Sequence, residues 1–185
     1  LAAIRKHGTD ASGMFGLRLM WDSVEGLVDR LSSVFGDQLG DAALFERAFD
    51  QPLYINLVRE DKVAQAVSLI RAEQSGQWHL SADGSVRQGL GEPLPVTYDA
   101  QAIEKEIASL TRVDAAWQTW FAAQDLSPLQ VTYEDLARDP ESVLRSLLTA
   151  VDRDPAMARV VQQATSKMAH EVINQCSERY RSGRH

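Results

Sequence analysis

The sequence predicts an α/β fold in which a parallel sheet is flanked by helices. Two short apolar runs, at 53–58 and 129–132, are each followed by residues with helical periodicity. The predicted elements follow the order β-α-α-β-α-loop-α-β-α-α, and strands that alternate with helices in this way form parallel sheets. The chain has 185 residues, of which 44% are hydrophobic and 24% charged, so it is long enough to form one domain with a sizeable core.

The first half of the chain holds four predicted elements. They are a short strand at 14–20, a helix capped by Asp22 or Ser23 and ended by Gly36, a short helix from Asp41 to Phe49, and a central strand at 53–58. Apolar residues at helical spacing support the first helix, and a glycine is the residue that most often ends one. The short helix is broken by Pro52, because proline lacks the N–H that a helix interior needs.

The second half begins with a helix that runs directly on from the central strand. The predicted elements are a helix from about 61 to 74, a polar loop at 79–97, a long helix from about 99 to 124, a strand at 129–132, and further helices after Pro140 and Pro155. The loop is predicted from its many glycine and proline residues. Loops of this length inside a compact domain are often functional lids, and disorder is an equal alternative.

Composition excludes several classes of protein. A net charge of −7 argues against a nucleic-acid surface, although a local basic pocket for one nucleotide remains compatible with it. The single cysteine, Cys176, excludes an intramolecular disulfide and indicates a reducing compartment. No apolar run is long enough to span a membrane, and no signal peptide is recognisable, so we expect a cytoplasmic protein. The four histidines lack the spacing of metal ligands, so no metal site is predicted.

The junction between the central strand and the next helix predicts an anion site. The strand would deliver the guanidinium of Arg59 to the carboxyl edge of the sheet, and the helix would add free backbone N–H groups and the positive end of its dipole. Ser68, nine residues after Arg59, would supply a further hydroxyl donor. The alternatives are a structural ion pair for Arg59 and an ordinary helix serine.

The residues of this junction also carry a family resemblance. They resemble the 3′-phosphate-binding segment of sulfotransferases that use 3′-phosphoadenosine 5′-phosphosulfate (PAPS), in particular the bacterial trehalose 2-sulfotransferase and nodulation-factor-type carbohydrate sulfotransferase family. The matching positions are Arg59, Asp61, Val63, Gln65, Ala66, Val67, Ser68, Arg71, Ala72, Gln74 and Trp78. The segments 16–21, 117–121, 129–140 and 175–181 are similar to the same group, so the resemblance covers most of the chain.

The resemblance implies a P-loop-NTPase-like sulfotransferase fold, represented here in part. No Ser/Thr-rich phosphosulfate loop follows a strand in this chain, and the catalytic glutamate of the family belongs with that loop. We therefore expect residues 1–185 to be a single domain that forms the C-terminal two-thirds of a sulfotransferase, with the general base outside it. The implied partners are PAPS, its product adenosine 3′,5′-bisphosphate and a carbohydrate acceptor such as trehalose, a glycolipid sugar or a chitooligosaccharide; a homodimer is also implied.

The resemblance further implies roles for individual residues. Arg59 and Ser68 would hold the 3′-phosphate, and Arg179 and Arg181 would close over the nucleotide, unless they form a solvated helix end. Arg18 would neutralise charge on the sulfuryl group, unless it faces solvent. The remaining candidates are substrate contacts by Trp21, Arg71 and Trp78, for which core packing or a surface ion pair are the alternatives. For Trp117 and Trp120, three residues apart on one helix, we expect core packing.

Two other functions are compatible with the sequence. The chain could be a non-catalytic nucleotide- or carbohydrate-binding relic that has lost the phosphosulfate loop, although its opening on Leu1 argues against this. It could also be an α/β domain that serves mainly in dimerisation. A shift of the melting temperature on addition of nucleotide would separate the last alternative from the others.

Overall fold

A computed structural model of the protein describes residues 2–81, 86–89, 97–160, 165–166 and 170–183. The chain divides into two compact units. The first contains Leu1–Asn56 and Ala115–Leu129, and the second contains Leu57–Asp114 and Gln130–His185. None of the described helices is long and apolar enough to cross a membrane.

The described elements are mostly helical. In chain order they are α1 (Ala2–Gly8), α2 (Val24–Phe35), α3 (Asp41–Phe49), β1 (Ile55–Val58), α4 (Lys62–Ser75), β2 (Gln77–Ser81), β3 (Val86–Gly89), α5 (Ala100–Ala123), β4 (Leu129–Thr132), α6 (Tyr133–Arg138), α7 (Pro140–Ala150), β5 (Thr165–Ser166) and α8 (His170–Arg181), with 3₁₀ turns at Trp21–Ser23 and Pro155–Val160. β1 and β4 form a small parallel sheet, which confirms the predicted α/β class.

Helix ends follow the capping residues of the sequence. The carboxylate of Asp61 accepts the N–H of Ala64 at 3.0 Å, so Asp61 is the N-cap of α4. The same helix ends at Gly76, whose φ of 69° is a left-handed conformation that glycine adopts without strain. Asp139 caps α7 through the N–H of Ser142, and Pro140 occupies the first helical position, where its missing N–H costs nothing.

The core of the first unit is aromatic. Its buried residues, from α2, α3 and α5, are Leu31, Leu44, Phe45, Ala48, Trp120 and Phe121. Trp120 is only 8% exposed, and Trp117 packs against the same cluster, which confirms the predicted core packing of both indoles. Trp120 also donates from Nε1 to Asp41 Oδ2 at 2.7 Å, which gives the buried N–H a charged acceptor.

The core of the second unit lies among three helices. Ala66 and Val67 of α4, Ile103 of α5 and Ile173 of α8 are its buried members. Tyr98 packs against them with its hydroxyl buried. This packing places the start of α4 and the end of α8 in one unit, where the polar side chains of the two helices meet.

Two predictions from the sequence are wrong. Residues 14–20 do not form a strand, because in the described part of the chain this segment makes one isolated bridge, from Phe15 to Thr9. The Phe15 ring instead stacks on Phe49 at 5.1 Å. The predicted loop at 79–97 includes parts of strands β2 and β3, which pair antiparallel, and β2 also pairs with β5. Residues 82–85 and 90–96 of that loop lie outside the described residues.

The central strand is shorter and less buried than predicted. Leu53, Ile55 and Leu57 alternate along the extended segment, so they point to one side of it, and they are 44%, 46% and 59% exposed. Asn56 on the opposite side is 7% exposed. Tyr54 and Val58 share the side of Asn56, and Tyr54 packs against the aromatic core, so the more buried side of this segment is mixed in polarity. The side with Leu53, Ile55 and Leu57 is apolar and exposed.

Candidate anion-binding site

Arg59 lies where the sequence placed it, between the last residue of β1 and the start of α4. The Nε atom of Arg59 is buried and has no hydrogen-bond partner among the described residues. The guanidinium carbon lies 4.3 Å from the centroid of the Tyr133 ring, so the cation rests on an aromatic face. A buried donor without an acceptor costs roughly 1–3 kcal/mol, and an anion that accepted a hydrogen bond from this nitrogen would remove that cost.

The backbone of Arg59 is tied to the neighbouring helices by Lys62. Nζ of Lys62 donates to the Arg59 carbonyl oxygen at 2.6 Å and to Gln65 Oε1 at 3.0 Å. The same ammonium lies 2.5 Å from Asp114 Oδ2 of α5, and its side chain is only 19% exposed. Lys62 thus connects the strand end, the first turn of α4 and α5.

Glu134 binds two backbone N–H groups in the short loop between β1 and α4. Its Oε2 accepts the N–H of Glu60 at 3.1 Å, and its Oε1 accepts the N–H of Asp61 at 3.2 Å. Burial would raise the pKa of Glu134, but these hydrogen bonds and the charge of Arg59 outweigh it and hold the pKa below its ordinary value. Glu134 thus binds the two N–H groups that precede α4. The predicted anion site relied on the N–H groups of the helix itself, of which that of Ala64 is bound by Asp61.

Asp61 joins the start of α4 to the end of α8. Besides capping Ala64, its carboxylate accepts from Nη2 of Arg181 at 2.6 and 2.7 Å. Burial alone would raise the pKa of Asp61, yet the Ala64 N–H, the Arg181 side chain and the charge of Arg59 together lower it. The carboxylate of Asp61 thus interacts with both Arg59 and Arg181, and that of Glu134 interacts with Arg59.

The other predicted nucleotide contacts occupy α4 and α8. Ser68 is half-buried on α4 and, seven residues after Asp61, faces the same side of the helix, because seven residues are close to two full turns. Arg71, one turn further along, is also half-buried. Arg179 places its guanidinium carbon 3.9 Å from the centroid of the Tyr98 ring. It lines an open groove with Arg181, Tyr98 and the first turn of α5.

Three further site residues were predicted, namely Arg18, Trp21 and Trp78. Arg18 and Trp21 belong to the first unit, whereas Arg59, Ser68 and Arg181 belong to the second. Arg18 is exposed, and its Nη2 lies 3.7 Å from the Met20 sulfur. Trp21 is half-buried with its ring 5.1 Å from that of Trp117, so it packs against the core. The side chain of Trp78 lies outside the described residues.

Sequence reasoning missed three residues that surround Arg59. Tyr133, Glu134 and Lys62 were assigned no role, although Tyr133 and Glu134 follow directly after strand β4. The carboxyl ends of neighbouring parallel strands meet at one edge of the sheet, and ligands of open α/β sheets bind there. Polar residues directly after each of the two predicted parallel strands could therefore have indicated that Tyr133 and Glu134 lie near Arg59.

Comparison with known proteins identifies the family. The profile of the Stf0 sulphotransferase family matches residues 1–183. The chain is 28% identical over 187 residues to the trehalose 2-sulfotransferase of Mycobacterium tuberculosis (strain ATCC 35801 / TMC 107 / Erdman), covering 97% of this chain and 65% of the relative. It is 30% identical over 181 residues to that of Mycolicibacterium smegmatis (strain ATCC 700084 / mc(2)155), covering 96% and 64%. The chain spans slightly less than two thirds of these relatives, and it belongs to the Stf0 sulphotransferase family.

Proposed function

We propose that the protein transfers the sulfuryl group of PAPS to a hydroxyl of a carbohydrate, and that this chain binds the 3′-phosphate of the donor. Membership of a sulfotransferase family supports the reaction, and two relatives named trehalose 2-sulfotransferase support a trehalose-like acceptor. A glycolipid sugar is the other acceptor that we propose. The observation that carries the nucleotide assignment is the buried Nε of Arg59, which has no hydrogen-bond partner within the described part of the chain.

The donor set around Arg59 fits a phosphate held by side chains. The guanidinium is a planar fork that matches phosphate oxygens, and Ser68 would add a hydroxyl from α4. The backbone N–H groups of Glu60 and Asp61 are bound by Glu134, so they are not part of this set. Arg181 and Arg179, on the last turn of α8, would add positive charge on the nucleotide side.

In the proposed reaction a sugar hydroxyl attacks the sulfuryl group, and adenosine 3′,5′-bisphosphate leaves. This chain contributes by fixing the nucleotide, so that binding energy is converted into orientation of the donor. The general base is proposed to lie outside the chain. Arg18 is the proposed cation for charge on the sulfuryl group, and Trp21, Arg71 and Trp78 are the proposed acceptor contacts. A homodimer and a single domain over residues 1–185 complete the proposal.

The test compares two nucleotides on the full-length protein by isothermal titration calorimetry. Arg59→Ala should weaken binding of adenosine 3′,5′-bisphosphate about 10- to 100-fold, because a charge-assisted hydrogen bond contributes about 1.5–3 kcal/mol. Binding of adenosine 5′-phosphate, which lacks the 3′-phosphate, should change little. The control is Arg138→Ala, since Arg138 is a 73% exposed arginine paired with Asp135. Equal losses for both nucleotides, or no loss, would contradict the proposal.

A further inference from the structure

We propose that Tyr133 and Glu134 are positioning residues for Arg59, which hold its side chain and its loop in the conformation that receives the 3′-phosphate. The inference rests on the proposed function, because it assigns Arg59 to that phosphate. Neither residue was given a role by the sequence. The two are adjacent in the chain; Tyr133 contacts the Arg59 side chain, and Glu134 binds the backbone that follows Arg59.

Tyr133 acts on the guanidinium. The ring centroid lies 4.3 Å from the guanidinium carbon, close enough for a cation–π contact, and Tyr133 is half-buried. Nε of Arg59 has no hydrogen-bond partner among the described residues, so no hydrogen bond from the protein to that nitrogen fixes the side chain. An arginine side chain is long and loses much rotamer freedom on binding. A ring that orders the guanidinium before the ligand arrives reduces this loss.

Glu134 acts on the loop between β1 and α4. Its two carboxylate oxygens bind successive N–H groups, those of Glu60 and Asp61, directly after Arg59. Lys62 binds the carbonyl oxygen of Arg59 itself, so the peptide unit that follows Arg59 is held from both ends. The loop is within reach of Glu134 because β1 and β4 are neighbouring strands of one sheet and α6 begins at the end of β4.

The negative charge of Glu134 opposes the binding of an anion. The positioning effect of Glu134 and its electrostatic effect on phosphate affinity therefore have opposite signs and can be told apart. A carboxylate beside a phosphate repels it, so Glu134 is unfavourable as a charge and favourable only through the backbone groups that it binds. Glu134→Gln removes the charge while keeping the side-chain size and one acceptor oxygen. If Glu134 acted only through its charge, the Glu134→Gln protein would therefore bind the phosphate more tightly than the wild type.

The experiment measures the ratio of affinities for adenosine 3′,5′-bisphosphate and adenosine 5′-phosphate in the full-length protein. Tyr133→Leu should lower the ratio about 3- to 30-fold, whereas Tyr133→Phe, which keeps the ring, should stay within about twofold of the wild type. Glu134→Gln should also lower the ratio. An unchanged ratio for Tyr133→Leu, an equal loss in Tyr133→Phe, or tighter bisphosphate binding in Glu134→Gln would overturn the inference.

Arg59→Ala separates the proposed phosphate site from the positioning role of Tyr133 and Glu134. If Arg59→Ala leaves the ratio unchanged, the proposed function fails at this site and the positioning role fails with it. If Arg59→Ala lowers the ratio and the Tyr133 and Glu134 variants do not, only the positioning role fails. The double variant Arg59→Ala with Tyr133→Leu should lose no more than Arg59→Ala alone, because a positioning residue has no effect once its target is absent. Thermal melting without nucleotide, with Tyr133→Phe as the variant that retains the packing, identifies losses that come from unfolding.

Discussion

Arg181 donates from Nη2 to both carboxylate oxygens of Asp61, at 2.6 and 2.7 Å, across 120 residues of sequence. The contact joins the last residue of α8 to the N-cap of α4. Asp61 therefore has two tasks, because the same carboxylate also accepts the N–H of Ala64. The cap satisfies an N–H group at the helix end, whereas the ion pair is half exposed to water and contributes less than a buried pair would.

The Asp61–Arg181 pair should couple the two helices only weakly. The side chains are 40% and 49% exposed, so a double-mutant cycle of Asp61→Asn and Arg181→Gln should give a coupling free energy of about 0.2–1 kcal/mol at pH 7. Urea unfolding of the four proteins measures it. Arg138 and Asp135 offer a comparison pair that is more exposed, at 73% and 51%, and should couple less. A coupling well above about 1 kcal/mol would contradict this estimate.

Glu134 should make stability depend on pH in the acid range. Burial opposes ionisation, but the N–H groups of Glu60 and Asp61 and the charge of Arg59 lower the folded pKa below the ordinary value of 4.5. The folded state therefore binds the proton less tightly than the unfolded state. The stabilising contribution is complete above about pH 4.5 and is lost as the pH falls through the folded pKa.

The corresponding measurement is the difference in unfolding free energy between the wild type and Glu134→Gln. This difference should be largest near neutral pH and should shrink between pH 4.5 and the folded pKa. Urea titrations at several pH values determine it. A difference that stays constant over that interval would mean that the protonation of Glu134 does not affect the stability of the folded state.

Leu44 should be among the most sensitive positions of the first core. Its relative exposure is 0%, and Leu44→Ala leaves a cavity among aromatic side chains. We expect a loss of about 2–5 kcal/mol in the free energy of unfolding. Val34→Ala is the control on a neighbouring helix, because Val34 is 62% exposed and should lose no more than about 0.5 kcal/mol. Similar losses for both variants would contradict the assignment of this core.

Asp41 should be required as the acceptor for Trp120 in the same core. Because Nε1 of Trp120 donates to Oδ2 of Asp41 at 2.7 Å, Asp41→Leu leaves a buried N–H without a partner. The expected cost is about 1–3 kcal/mol of unfolding free energy, measured by urea denaturation. Asp41→Asn keeps a carbonyl oxygen at this position and should cost less. If the two variants lose equally, the hydrogen bond contributes nothing beyond the charge.

The sequence predicted the elements whose signals are local. The helix of residues 62–75 is bounded by Asp61 and Gly76, and both act through hydrogen bonds or backbone conformations confined to a few residues. The long helix and the strand at 129–132 were likewise predicted to within two residues. Arg59 was placed correctly because a strand followed directly by a helix defines its position along the chain.

The errors concern contacts that one segment makes with another. Residues 14–20 have the composition of a strand, but a strand forms only when a neighbouring strand pairs with it. Among the described residues this segment makes one isolated bridge, and its own sequence does not show whether a pairing partner exists. The loop prediction at 79–97 is wrong at β2 and β3, because glycine and proline content does not show which residues pair in an antiparallel ladder. Glu134 binds N–H groups more than 70 residues away, at separations of 74 and 73, so nothing near Arg59 indicated it.

The apolar side of the central strand should promote self-association of this chain in solution. Leu53, Ile55 and Leu57 present three large side chains to water along one extended segment. Water drives such surfaces together, and strands with an apolar face are frequent starting points of aggregation. The apparent molar mass of the isolated chain, measured by light scattering, should therefore rise with protein concentration. Nucleotide affinities determined at high concentration would then include competition from self-association.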